Sequence, residues 1–206
     1  MIAKVIPLPE ANCVTAEIHG SGELINNWQT ALQFLKDGNS RYLGNRTIIR
    51  DNAKDREILK DGQKPFAVVI TCSDSRVPPE IYFDQKLGDI FVIRNAGNIA
   101  DPTALGSIEY AVEHLKAPLV VVVGHSCCGA VTGAFNGGGE HPENLKTILD
   151  EISPVVKNCG NIGDAIRANI DHVVKRIKEN KTVKNMRVTV VGAYYNIESG
   201  EVSFAV

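Results

Sequence analysis

The chain has 206 residues, of which 44% are hydrophobic, and its 22 Lys and Arg against 24 Asp and Glu give a formal net charge of −2. That length suits one large domain, or a domain with an extension, and buries a core without disulfide staples. The near-neutral balance argues against a nucleic-acid or membrane-surface binder, and no apolar run approaches the roughly 18 residues of a membrane span.

Residues 1–22 lack clear periodicity and end in His19-Gly20-Ser21-Gly22; they read as a flexible N-terminal arm ahead of a single domain over 23–206. The opening stretch is broken by Pro7 and Pro9 and has no long apolar region of the signal-peptide kind, so a cytoplasmic protein is expected. Leu24, Trp28, Leu32, Leu35 and Tyr42 recur at helical spacing, with Gly38 expected to interrupt or end that helix. Asp51 to Lys60 reads as a short second helix.

Three short, β-branched, nearly continuous apolar runs follow: Phe66 to Thr71, Asp89 to Arg94 and Pro118 to Gly124. Such runs fit strands covered on both faces, as in a parallel sheet. Asp101-Pro102-Thr103 opens a helical stretch to about Lys116, which makes the second and third runs a strand–helix–strand unit. The Gly137–Gly139 run has no following Gly-Lys-Ser/Thr, so it reads as a turn rather than a phosphate loop. Helices are expected over 142–157 and 161–179, and the basic stretch from Lys175 to Arg187, interleaved with Glu179, reads as a solvated helix face. Val188 to Gly192 reads as a strand, and Tyr194 to Val206 as a strand, a Ser-Gly turn and a return strand. The expected class is α/β: a central, mostly parallel β-sheet flanked by helices, with an N-terminal helical arm and a C-terminal antiparallel edge hairpin.

Five cysteines (Cys13, Cys72, Cys127, Cys128 and Cys159) are an odd number for a reducing compartment, where free thiols or metal ligands are expected before disulfides. Cys72, Asp74 and Arg76 stand where the first strand emerges into a loop, and His125, Cys127 and Cys128 where the third does. Carboxyl ends of parallel strands are where open α/β sheets build their sites, and adjacent strands about 4.8 Å apart would bring Cys72 to His125. Residues three apart at a helix start share a face, so His125 and Cys128 can address one centre while Cys127 points away. Cys72, His125 and Cys128 then offer a zinc ion three ligands and leave one position open, the catalytic arrangement. Each also has an ordinary reading. A cysteine at a strand end is commonly a small buried hydrophobe, Asp74 and Arg76 are commonly a surface ion pair of little energetic weight, and a thiol at the position of Cys127 commonly packs. The functional alternative for the pair is that Arg76 forks onto Asp74, keeps it ionised and restrains it from the metal.

Taken together, Cys-Ser-Asp-Ser-Arg at 72–76, Gly-Asp-Ile-Phe-Val-Ile-Arg-Asn-Ala-Gly-Asn at 88–98, Ser-Ile-Glu-Tyr-Ala-Val-Glu-His-Leu at 107–115 and Gly-His-Ser-Cys-Cys-Gly at 124–129 resemble the β-class carbonic anhydrases, over about residues 24–205. The resemblance implies one zinc ion per chain on Cys72, His125 and Cys128, with Asp74 and Arg76 as the catalytic dyad. It implies Gln63, Phe91 and Tyr110 as substrate-binding positions in a pocket closed by a neighbouring protomer, and hence a dimer or tetramer. Val69 stands where some members carry a tryptophan tied to a bicarbonate-inhibited state, which favours the constitutively open, plant-type subgroup. The implied activity is reversible hydration of carbon dioxide to bicarbonate and a proton. The alternatives are hydrolysis of carbon disulfide or carbonyl sulfide on the same scaffold and, more distantly, a non-enzymatic zinc or thiol module.

Overall fold

Four parallel strands and one antiparallel edge strand make a single sheet in the computed structural model, which describes Ile25 and residues 27–205. The expected arm, with Cys13 and His19, lies outside the described residues. The strands are β1 (Ala67–Cys72), β2 (Ile90–Asn95), β3 (Leu119–His125), β4 (Thr189–Tyr195) and β5 (Val202–Ala205), in the order β2-β1-β3-β4-β5. In-register valines cross the sheet: Val92 pairs Val69, Val69 pairs Val121, and Val121 pairs Val191. Every residue of β1 and β3 is buried, as strands covered on both faces must be.

The covering helices are α1 (Trp28–Leu43), α2 (Asn52–Leu59), α3 (Pro79–Tyr82), α4 (Pro102–Glu113), α5 (Gly129–Asn136), α6 (Glu143–Val156), α7 (Ile162–Glu179) and α8 (Lys181–Asn185). Asp101 caps α4, its carboxylate accepting from the Ala104 N–H, with Pro102 in the first turn where no N–H is needed. α4 packs on β1 and β2, and α7 on β3 and β4. α7 buries Ala165, Ile166, Asn169, Ile170, Val173 and Ile177, a stripe of helical period that contains one polar residue. Among the described residues no helix is long and apolar enough to cross a membrane.

Three details differ from the expected pattern. Each of the first three strands begins and ends one residue later than its apolar run, because the ladder continues onto polar residues: the Ser73 N–H donates to Asn95 O at 3.0 Å and the Ser126 N–H to Tyr195 O at 3.0 Å. Cys72 and His125 are thereby the last residues of their strands. Second, the strand expected to stop at Gly192 runs on to Tyr195. Gly192 and Gly124 are there for space: a Cβ on either would lie 2.8 or 2.6 Å from Ile170, so their absence lets α7 close down on the sheet. Third, α1 does not break at Gly38, which is buried where the helix meets the α3 turn; a Cβ there would lie 1.7 Å from the Phe83 carbonyl oxygen. Next to it Asn39 ties three segments together. Its Nδ2 donates to Tyr82 O and Gly200 O, each at 2.9 Å, and its Oδ1 accepts from the Val202 N–H at 3.0 Å.

In an open helix, Gly38→Ala would stabilise by up to about 1 kcal/mol. Here the overlap with Phe83 reverses the sign, and the expected result is a loss of about 1–3 kcal/mol or more. Urea denaturation of the variant measures it.

Candidate metal centre

Cys72 and His125 meet because β1 and β3 are parallel neighbours whose carboxyl ends coincide, with Thr71 opposite Val123. Beyond His125 the chain turns through Cys127, at φ 57 in the left-handed region, and enters α5 with Cys128 as its N-cap residue. That turn brings Cys128 back to the strand end. Cys127 is exposed rather than packed, because the left-handed turn aims it outward. One ligand atom from each of Cys72, His125 and Cys128 falls within 4.8 Å of the others, and all three residues are buried. No fourth His, Cys, Asp or Glu joins them among the described residues, so His114, His141 and His172 take no part.

The donor set fits a tetrahedral zinc ion. Two sulfurs bound at about 2.3 Å and a tetrahedral angle stand about 3.8 Å apart. Cys72 Sγ and Cys128 Sγ are separated by 4.0 Å, close to that spacing and about twice the length of a disulfide bond. His125 is fully buried, and its Nδ1 donates to the Ser126 carbonyl at 2.9 Å, since a carbonyl oxygen only accepts. That bond fixes the tautomer and leaves the lone pair of Nε2, which has no hydrogen-bond partner among the described residues, available to a cation. The Cys128 thiol lies within donating distance of Cys72 Sγ, which pulls the Cys72 thiol down, while the same contact and burial push Cys128 up. A divalent cation between them removes that conflict and stabilises both as thiolates.

Asp74 and Arg76 form the bidentate fork. Arg76 Nε donates to Asp74 Oδ1 at 2.9 Å and Nη2 to Oδ2 at 2.7 Å, and the Arg76 backbone N–H adds a third bond to Oδ1 at 2.9 Å. These bonds hold the Asp74 carboxyl below the usual carboxylate range, against the opposing effect of partial burial. Arg94, which the sequence reading passed over, fixes the loop from the end of β2. Its Nε donates to Cys72 O at 3.0 Å and its Nη2 to Asp74 O at 2.6 Å. Ser126 is a second support: its hydroxyl accepts from the Ile197 N–H at 2.9 Å, anchoring the β3 turn to the second residue beyond β4.

Gln63, Phe91 and Tyr110 lie elsewhere. Phe91 pairs with Val68, four residues before the Cys72 level, hence about 13 Å down the sheet. Tyr110 faces Phe91 with ring centroids 6.2 Å apart, and Gln63 is exposed in the loop entering β1 at its amino end. One chain therefore carries the two halves of the expected site at opposite ends of its sheet.

The carbonic anhydrase family profile matches residues 67–202. A carbonic anhydrase of Mycolicibacterium smegmatis is 35% identical over 191 residues, covering 86% of this chain and 93% of its own. Carbonic anhydrase 2 of Mycobacterium tuberculosis is 35% identical over 184 residues, covering 82% and 89%. Among solved structures, tetrameric β-carbonic anhydrases from Sordaria macrospora superpose with a TM-score of 0.68 at 27% identity, over 85% of this chain and 96% of theirs.

The Asp74–Arg76 fork has a direct titration signature. Because the folded carboxyl titrates below the free value of about 3.9, the pair stabilises the fold above that pH, and its contribution is lost as pH falls through the lowered folded value. Arg76→Gln is expected to return the Asp74 carboxyl toward about 4, read by carboxyl-carbon NMR on the metal-free protein. An unchanged titration would remove the fork as the cause.

Proposed function

This chain belongs to the carbonic anhydrase family, in its β class, and on that premise we propose that its reversible hydration of carbon dioxide runs at the buried cluster, with Cys72, His125 and Cys128 holding zinc and Asp74 and Arg76 as the catalytic pair. The observation carrying this reading is the convergence of three soft donor atoms within 4.8 Å at the ends of two adjacent strands. A zinc ion held by Cys72, His125 and Cys128 would supply Lewis-acid activation of water near neutral pH.

The protein's own residues do the rest. Asp74 stays ionised and accepts a hydrogen bond from the attacking water, which orients a lone pair toward the carbon of the substrate. Arg76 engages both carboxylate oxygens, and so would keep Asp74 from becoming a ligand itself. Arg94 holds the Cys72 and Asp74 carbonyls, so ligand and acceptor keep their relative placement. This arrangement supports the constitutively open form.

The substrate side belongs to a second copy. Gln63, Phe91 and Tyr110 sit at the end of the sheet opposite their own cluster, so they serve the cluster of a neighbour: Gln63 hydrogen-bonds a substrate oxygen, while Phe91 and Tyr110 wall the space for a linear, uncharged molecule. A dimer, or a tetramer as in the Sordaria macrospora relatives, follows from that arrangement. The reduced thiols the seat requires favour a cytoplasmic setting.

Stopped-flow assays of the zinc-loaded protein test the reading. Asp74→Asn is expected to keep stoichiometric zinc and lose about 100-fold or more in carbon dioxide hydration. Cys72→Ser is expected to lose the metal. Mixing Cys72→Ser with Gln63→Ala subunits regenerates activity, because each mixed pair contains one undamaged composite site. Wild-type protein that releases sulfide from carbon disulfide but leaves carbon dioxide unhydrated would contradict the assignment.

A further inference from the structure

The inward stripe of α7 is apolar except at Asn169, which is 1% exposed between Ile166 and Ile170. Its Oδ1 accepts no hydrogen bond among the described residues, so packing alone would favour an aliphatic side chain there. The Asn169 side chain makes one specific contact: Nδ2 donates to the Gly97 carbonyl at 2.9 Å. Gly97 lies in the turn Ala96–Asn98 after β2, and its own N–H donates to Cys72 Sγ at 3.4 Å.

The turn leaves little freedom for that glycine. Gly97 has φ 77, in the left-handed region, and a Cβ there would lie 2.6 Å from Ile152 of α6 and 3.2 Å from Ala130 of α5. Asn95 brackets the turn from within, its side chain accepting from the Ile99 N–H and donating to Ile99 O, both at 2.8 Å. Asn169 adds the anchor from outside it, on an element remote in sequence.

We propose that Asn169 is a positioning residue for the metal centre: through Gly97 it keeps a backbone N–H on the sulfur of Cys72. The inference rests on Cys72 being a ligand. An N–H directed at a thiolate draws charge from the sulfur, and with two thiolates in the seat this preserves the electron-withdrawing power of the cation. Groups that orient a ligand in this way are typically worth 10- to 100-fold in metal affinity.

The test uses full-length Asn169→Leu, which fills the space with apolar atoms, and the smaller Asn169→Ala, each checked for native circular dichroism. Chelator competition at neutral pH is expected to show zinc affinity lowered about tenfold, because a thiol that has lost the N–H is misoriented and holds its proton more tightly against the metal. In the cobalt-substituted proteins, the sulfur-to-metal charge-transfer band is expected at longer wavelength than in wild type, because the freed sulfur is a stronger donor. A purely structural role would move the melting temperature and leave the band in place. An unshifted band with unchanged affinity in either folded variant overturns the proposal. Cys72→Ser is measured alongside: if it keeps stoichiometric metal, the ligand assignment itself fails, whereas metal loss there with unaltered Asn169 variants refutes the role of Asn169 alone.

Discussion

Parallel pairing of β1 with β3 decides where the chemistry can be. Cys72 and His125 are more than fifty residues apart in the chain, and only adjacent strands running the same way bring both to one edge of the sheet. The pairing is held by side chains buried on both faces, Val68, Val69 and Ile70 in one strand and Val120 to Val123 in the other. Their hydrophobic burial, about 1.5–3 kcal/mol for each large side chain relative to exposure, fixes the register. A one-residue slip would turn Cys72 and His125 to opposite faces. The accuracy of the metal seat is therefore inherited from an apolar core that contains none of the reacting groups.

At the carboxyl end of that core sit buried donor atoms whose arrangement suits a cation. Two buried sulfurs 4.0 Å apart cannot both be thiolates at low cost, and a buried imidazole nitrogen with no hydrogen-bond partner among the described residues is itself destabilising. A metal ion resolves all three at once, which is the physical reason to expect binding and folding to be coupled here. The supports are mostly backbone contacts: Ser126 O orients His125, the Gly97 N–H addresses Cys72, and Arg94 grips the carbonyls of the 72–74 loop.

This division explains what could be read from the amino-acid order. The strands, the Cys72–His125–Cys128 cluster and the Asp74–Arg76 fork were legible because they depend on side-chain type and spacing. Strand ends were displaced by one residue because ladder bonds are made by backbone, whatever side chain it carries. Gly38 and Gly192 resembled breaks because a missing Cβ is visible in sequence, while the Phe83 carbonyl or Ile170 side chain that occupies its place is not. Cys127 read as packed because its type favours burial, and the left-handed turn that exposes it depends on the register of both flanking elements. Arg94, Ser126 and Asn169 act on main-chain atoms brought near by folding, and no local pattern announces such contacts.

The metal cluster and the Phe91–Tyr110 pair stand at opposite ends of the sheet, and on the proposed reading that placement gives assembly its chemical purpose. All of this depends on the identity and number of the groups around the metal. X-ray absorption spectroscopy of the zinc-loaded wild-type protein reads that shell directly. The account predicts two sulfur scatterers at about 2.3 Å and two nitrogen or oxygen scatterers at about 2.0–2.1 Å, one of them displaced by a small anion. A shell with fewer than two sulfurs, or one of four protein ligands that no anion perturbs, would contradict it.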